Sequence, residues 1–248
     1  MDLATIVGLI LGFGAVFGGA VLEGVHIGAL ISPTSALIVL GGTFGAVFIS
    51  FPLPACIKGF KDAVIAFLPP KVDPEAVVKD IIGYATKARR NGLISLEQEA
   101  QNAKDPFIKK GISLVVDGID PQKLRETLEA DIMAFEDHQK HSVEFYEAAG
   151  GYAPTIGIIG AVLGLIHVMG NLSDTSKLGA GIAAAFVATI YGLMTANIIC
   201  LPLGAKIKIR MKEEVLRRVM ILEGLIAIQN GENPHFIEQK LKAFSGGH

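Results

Sequence analysis

Few of the 248 residues could do chemistry from inside an apolar segment. Residues 3–22, 27–57, 148–173 and 178–205 contain no Asp, Glu, Lys or Arg, and the one ionisable side chain within the spans they define is His167. Ion translocation normally depends on an intramembrane carboxylate or amine, so this chain alone is a poor candidate for a pump. His167 falls near the outer end of its span, which suits a hydrogen-bonded interface residue better than a proton relay. Glu23, in the outer turn, reads as a solvated loop charge. Catalytic signatures are absent: there is no H-E-x-x-H, no pair of intramembrane aspartates, no G-x-S-x-G and no phosphate-cradling G-x-x-x-x-G-K-[ST]. Cys56 and Cys200 are too few and too far apart in sequence for a disulfide framework or a zinc cluster, and are expected to be plain thiols. No enzyme activity, metal or cofactor is expected.

The remaining candidates are small or polar residues on the apolar stretches. Gly8 with Gly12, Gly14 with Gly18, Gly41 with Gly45, and Gly160 with Gly164 are spaced by four, which lets helix backbones approach closely. Ala185, Thr189, Gly192 and Ala196 share one helix face, beside which Ala161 and Gly164 of the preceding span could lie. Pro202 removes the bond to the carbonyl of Ile198 and should kink or soften its helix. Pro154 reads equally well as an ordinary first-turn proline or as a functional one. Together the two prolines mark a flexing zone at the level of the inner leaflet.

These residues need long apolar helices to hold them. The chain is 51% hydrophobic and 19% charged, with a mean hydropathy of +0.50, too apolar for a soluble domain. Four transmembrane helices are expected near 3–22, 34–52, 152–172 and 180–204, each close to the ~20 residues that cross the hydrocarbon at ~1.5 Å per residue. The first has no basic residue before it and no small-residue cleavage site, so it is expected to stay in the mature protein. Residues 58–147 hold 13 Lys and Arg and the tail 206–248 holds 8, against none in the turn 23–33 and only Lys177 in the turn 173–179. That asymmetry places both termini and the large loop in the cytoplasm. A net charge of -2 offers nothing to nucleic acid. In the loop, Asp73-Pro74, Asp105-Pro106 and Asp120-Pro121 each open a helix, and Asn91-Gly92 stops the first of them. Ser95 with Gln98 forms a capping box. Leu124, Leu128, Ile132 and Phe135 carry a long amphipathic helix toward Ala148, where Gly150-Gly151 loosens the junction with the third span. In the tail, Ile209, Val215, Val219, Leu222 and Leu225 continue the fourth span until Asn230-Gly231 turns it. No period-2 pattern of useful length occurs. The expected class is an all-α polytopic membrane protein divided into an N-terminal hairpin (1–52), a cytoplasmic helical domain (53–150), a second hairpin lining an ion path (151–205) and a cytoplasmic helical tail (206–248).

Tyr152-Ala153-Pro154-Thr155-Ile156-Gly157 through Gly164-Leu165-Ile166-His167, with Thr189-Ile190-Tyr191-Gly192 and Leu201-Pro202-Leu203 on the next helix, resembles the MotA-type A subunit of the bacterial flagellar stator, in the MotA/TolQ/ExbB superfamily. The likeness covers the whole chain. It implies a multi-pass inner-membrane protein forming a homo-pentamer around a MotB-type B-subunit dimer. The B subunits supply the ion-binding aspartate and anchor the complex to peptidoglycan. It also implies an ion path and torque coupling at Pro154, Ala161, Thr189 and Pro202, while the spacing of Gly8, Gly12, Gly160 and Gly164 and the small-residue face at Gly192 are expected to serve helix packing. Contact with the rotor protein FliG falls to Arg89 and Glu97 around Gly92 and Leu96, with Arg90 and Glu99 as neighbours; without the resemblance these charges read as a solvated helix edge. Sodium-driven relatives carry a threonine seven residues after the third-span proline; here that position is Ala161, which offers no oxygen to a hard cation, so the expected ion is the proton. The partners implied are B subunit, rotor and membrane lipid, with no nucleic acid. A TolQ/ExbB-type energiser of outer-membrane processes has three spans and lacks residues 3–52; a scaffold without energy coupling would also show bare spans. A solute carrier would usually show an inverted repeat with broken helices.

Overall fold

A computed structural model describes residues 2–68, 73–171 and 175–244. Helices dominate and no strand occurs among the described residues. Four helices are long and apolar enough to cross a membrane: α1 (Leu3–Leu22), α2 (Ile27–Ser50), and parts of Pro121–Met169 and Leu178–Gln229. The chain divides into two compact units, a membrane unit (Met1–Pro69 with Gln139–Ile209) and a polar unit (Pro70–His138 with Arg210–His248). Of the turn 173–179, residues 173 and 174 lie outside the described residues, as does the Lys177 side chain.

In the membrane unit, Asp2 caps α1 by accepting from the Thr5 amide, and Gly24 turns the chain after it at φ +79°. Within α2 a 3₁₀ turn, Ile27–Leu30, comes first; after extended Ile31 and Ser32 the α-helix starts at Pro33, where the Ser32 hydroxyl accepts from the Ser35 amide, and it contains a π-helical turn, Leu37–Gly41. Extended Phe51 and Pro52 break the chain, and a further helix, α3 (Leu53–Phe67), follows directly. The sequence reading had not singled out α3. Its inner face carries a polar clamp: Lys58 Nζ lies 2.5 Å from Asp62 Oδ2, which also accepts from Ser142 Oγ at 2.6 Å, and Tyr146 Oη donates to the Gly59 carbonyl at 3.2 Å. Gly59 is small for a reason, since a Cβ there would stand 2.8 Å from the buried Phe145 ring.

The polar unit follows its predicted caps. Asp73 accepts from the amides of Glu75 and Ala76 at the head of α4 (Pro74–Asn91), and Asp105 from those of Phe107 and Ile108 at the head of α6 (Pro106–Val116). Asp120 accepts from the Gln122 amide as α7 (Pro121–Met169) begins. The capping box at Ser95 does not form. Gly92, at φ +81°, sends the chain into a 3₁₀ turn, Leu93–Leu96, in which Ser95 Oγ donates to the Gly92 carbonyl at 2.6 Å; α5 (Glu97–Asn102) then starts without a side-chain cap. The helical run α8 comprises Thr175–Met194, a π turn Thr195–Cys200 and Leu201–Gln229; Gly231, at φ +70°, follows it, and α9 (Pro234–Phe244) completes the unit. Ile81, Leu96, Ile112, Leu124, Leu128, Ile221, Leu225, Ile237 and Leu241 are all fully buried in one core.

Two expectations on α7 are corrected. Gly150-Gly151 does not loosen the junction, because α7 runs unbroken from Pro121 to Met169 through both glycines. Gly150 instead lies against α8, where a Cβ would stand 2.5 Å from Leu201 Cδ2. Pro154 is therefore a proline in the interior of a helix, not in its first turn.

Candidate functional site: the hairpin of the third and fourth spans

The apolar half of α7 and the first half of α8 pack almost backbone to backbone. A Cβ on Gly192 would stand 2.5 Å from the Ala153 carbonyl oxygen and 3.1 Å from Gly157 Cα; one on Gly157 would stand 3.0 Å from the Ala188 carbonyl and 3.4 Å from Thr189 Cα. Further along, Gly160 faces Ala188 Cβ at 2.8 Å and Gly164 faces Ala185 Cβ at 2.9 Å. The expected stripe of small residues is thus a helix–helix seam, with Gly157 the α7 member whose three nearest neighbours across it are all backbone atoms. Gly157 stood in the quoted motif but outside the spacing-four pairs; the spacings 157, 160 and 164 were the signal that could have found it.

Ala161 lies between Gly157 and Gly164 along this helix and is half-buried, as is Thr189. Pro154 follows Ala153, the partner of Gly192, whereas Leu201, next to Pro202, meets Gly150. The two prolines therefore do not share a level, since four residues separate Pro154 from Gly150 on one helix and ten separate Gly192 from Pro202 on the other. Before Pro202 the helix widens into its π turn, closed by the Leu201 amide on the Ala196 carbonyl. The helix relieves the proline's missing donor and crowded ring by this local widening and continues to Gln229. His167 is exposed and, among the described residues, its ring makes no hydrogen bond.

The second span closes over this hairpin. Tyr191 Oη donates to the Leu30 carbonyl at 2.7 Å and receives the Ser32 amide at 3.3 Å, and Ser35 Oγ donates to the Ala184 carbonyl at 3.1 Å. A Cβ on Gly42 would meet Ile156 Cγ2 at 2.7 Å. The first span is less engaged. Gly12 meets Ile198, but added Cβ atoms on Gly8, Gly14, Gly18 and Gly45 would find nothing within 4 Å, and one on Gly41 only Leu37 of its own helix, so the packing expected at those pairs is not made within this chain.

The charges around Gly92 form a separate surface in the polar unit. Arg89 and Arg90 end α4 and Glu97 opens α5; all three are exposed, and among the described residues none is ion-paired. Fully buried Leu96 anchors the turn between them, and Glu99 is occupied by Lys87 at 2.8 Å. Behind this edge, Arg217 pairs with Asp105 at 2.5 Å and with Glu214 at 2.7 Å, and Arg218 bonds Glu214 at 2.8 Å while its guanidinium lies 3.9 Å from the Phe135 ring centre. Burial pushes the Glu214 carboxyl up, but the hydrogen bonds from Arg217 and Arg218 prevail and hold it below the ordinary carboxylate range.

Residues 99–220 match the MotA/TolQ/ExbB proton channel family, and residues 6–90 match the Motility protein A N-terminal family. Motility protein A of Bacillus subtilis (strain 168) is 36% identical over 97% of this chain and 90% of its own length. Chemotaxis protein PomA of Vibrio alginolyticus is 36% identical over 98% of this chain and 95% of its own length. A solved structure of C. jejuni MotAB superposes with a TM-score of 0.95 at 31% identity, over 98% of this chain and 96% of that one; the flagellar MotAB stator complex from Bacillus subtilis gives 0.87 at 36%, over 95% and 92%.

Proposed function

The chain belongs to the MotA/TolQ/ExbB proton channel family, and from that premise we propose that it is a flagellar stator subunit of the A type, coupling ion flow across the inner membrane to torque on a rotor. What carries the reading is the absence of any carboxylate or amine from four membrane-spanning segments in a proton channel family: the acid that takes the ion must come from another chain. The solved MotAB complexes support a B-type partner, and the match of residues 6–90 to the Motility protein A N-terminal family favours a motor subunit over a TolQ/ExbB-type energiser.

On this reading the α7–α8 seam is a rigid sleeve, five copies of which surround two B-subunit helices. Protonation of the partner's aspartate changes its contact with the face near Pro154, Ala161, Thr189 and Pro202 and turns the ring. The proton is favoured because Ala161 presents a methyl group where a hard cation would need oxygen. Arg89, Arg90 and Glu97, exposed and unpaired in the polar unit, meet the charged rotor. The Lys and Arg asymmetry supports an orientation with both termini in the cytoplasm. No residue of the chain is assigned enzymatic work.

Affinity purification from bacterial membranes is expected to bring down a single-span protein with an aspartate in its span. Liposomes holding this chain alone are expected to stay ion-tight, and conduction by the chain alone would overturn the assignment. Rotation speed that follows external sodium at fixed membrane potential would overturn the proton.

A further inference from the structure

The first and fourth spans touch at one level and part at another. A Cβ on Gly12 would stand 3.1 Å from Ile198 Cγ2, whereas one on Gly8, a turn nearer the N-terminus, meets nothing within 4 Å. From that contact toward the N-terminus the two helices border an open groove of about 370 Å³, lined by Ala4, Gly8, Leu9, Asn197, Pro202 and Leu203, with Lys206 at its mouth. Thr5 also borders it, but its hydroxyl is spent on the Ala66 carbonyl at 3.2 Å, and the Asn197 amide donates to Leu193 of its own helix at 2.9 Å. The mouth is charged: Lys206 Nζ lies 2.5 Å from Asp2 Oδ2, with the two side chains 25% and 9% exposed.

From Asp2 to Gly12, α1 rises ~15 Å at ~1.5 Å per residue, half of a ~30 Å hydrocarbon core. The groove therefore has the depth of one leaflet, an apolar wall and a charged rim at headgroup level. We propose that it holds an acyl chain of a zwitterionic, ethanolamine-type phospholipid, with the phosphate against Lys206 and the ammonium against Asp2. An apolar cleft at this depth gains dispersion contacts from hydrocarbon and offers water few partners. The rim decides the headgroup. A Lys–Asp pair has no net charge, so an anionic headgroup gains at Lys206 and is repelled at Asp2, whereas a headgroup carrying both signs meets each with a charge-assisted hydrogen bond. Ala4 and Gly8 keep the groove open, and a larger side chain at Gly8 would fill it.

The test uses the complete stator complex, reconstituted in nanodiscs of equal phosphatidylethanolamine and phosphatidylglycerol and released for native mass spectrometry. Retained phosphatidylethanolamine should exceed phosphatidylglycerol about tenfold, the effect of one charge-assisted hydrogen bond. Gly8→Leu should lower retention severalfold, and Asp2→Asn, which removes the charge that repels an anionic headgroup and pairs the ammonium, should abolish the preference for phosphatidylethanolamine. A photoactivatable acyl chain on phosphatidylethanolamine should label the segment around Asn197 in the unsubstituted complex, which needs no variant to fold. Equal retention, preference for the anionic lipid, indifference to Gly8→Leu, or no labelling near Asn197 would each overturn the site. So would loss of subunits on Gly8→Leu, which would make a second copy's helix the occupant.

Discussion

In the membrane unit the third and fourth spans meet through glycine and alanine, whereas the polar unit is built around Leu, Ile and Phe, and the difference follows from the two solvents. Lipid tails are as apolar as leucine, so burying leucine against another helix gains little there; close backbone approach at Gly157, Gly164 and Gly192 gains dispersion contacts instead. In water the hydrophobic effect pays for bulk, and the polar unit buries Leu124, Leu128, Ile221 and Leu225 completely. Glycine plays opposite parts accordingly. Along the seam it admits a second backbone, while in the polar unit Gly111 and Gly224 make room for the side chains of Leu225 and Ile81, at 2.3 and 2.6 Å from where their own Cβ atoms would be.

The contrast can be broken at its strongest point by Leu225→Ala. Truncating this buried residue should cost ~2–5 kcal/mol. Hydrogen exchange in residues 74–116 should report it; unchanged protection would mean that the polar unit does not rest on its aliphatic core. On the seam, Gly192→Val should cost ~1–3 kcal/mol, because the added carbon meets the Ala153 carbonyl and not a side chain that could move. A lower thermal midpoint in detergent and lost torque would sharpen the comparison, and an unchanged midpoint would show that the seam is not backbone-limited.

Acid separates the units next. Glu214 titrates below its ordinary pKa of about 4.5, so its folded value lies under its unfolded one. Its contribution is therefore present above the ordinary value and disappears as pH falls through the folded value. Protection in the polar unit should fall as the pH drops below ~4.5, and Glu214→Gln should flatten that dependence. The α7–α8 seam, built from uncharged residues, should not follow it. The smallest effect belongs to Arg89→Ala, an exposed and unpaired charge whose loss should change stability by only ~0–1 kcal/mol. Its test is motility: Arg89→Glu should slow swimming and be partly rescued by an opposite charge change on the rotor, and rescue by none would remove the electrostatic reading.

Much of this architecture was legible because its causes are local. Spans follow from gaps in charge, and the starts at Asp73, Asp105 and Asp120 follow from a carboxylate beside a proline. The two misreadings on α7 share one origin. Gly150-Gly151 looked like a break, and first-turn placement was one of two readings of Pro154, because glycine and proline are poor helix formers; α7 continues through both because packing against α8 at Leu201 and Gly192 outweighs intrinsic preference. Ser95 looked like a cap until the positive φ of Gly92 redirected the chain.

The sequence by itself determined that four segments are apolar enough to span the hydrocarbon, that helices begin at Asp73-Pro74, Asp105-Pro106 and Asp120-Pro121, and that no acid of its own lies within the spans, since each depends on neighbouring residue types and on the cost of charge in lipid. Only the tertiary structure decided which glycines touch backbone, where α1 parts from α8, and that Arg89 and Glu97 are unpaired while Glu99 is held by Lys87. Those outcomes depend on the register between helices distant in sequence, and no local preference encodes a register.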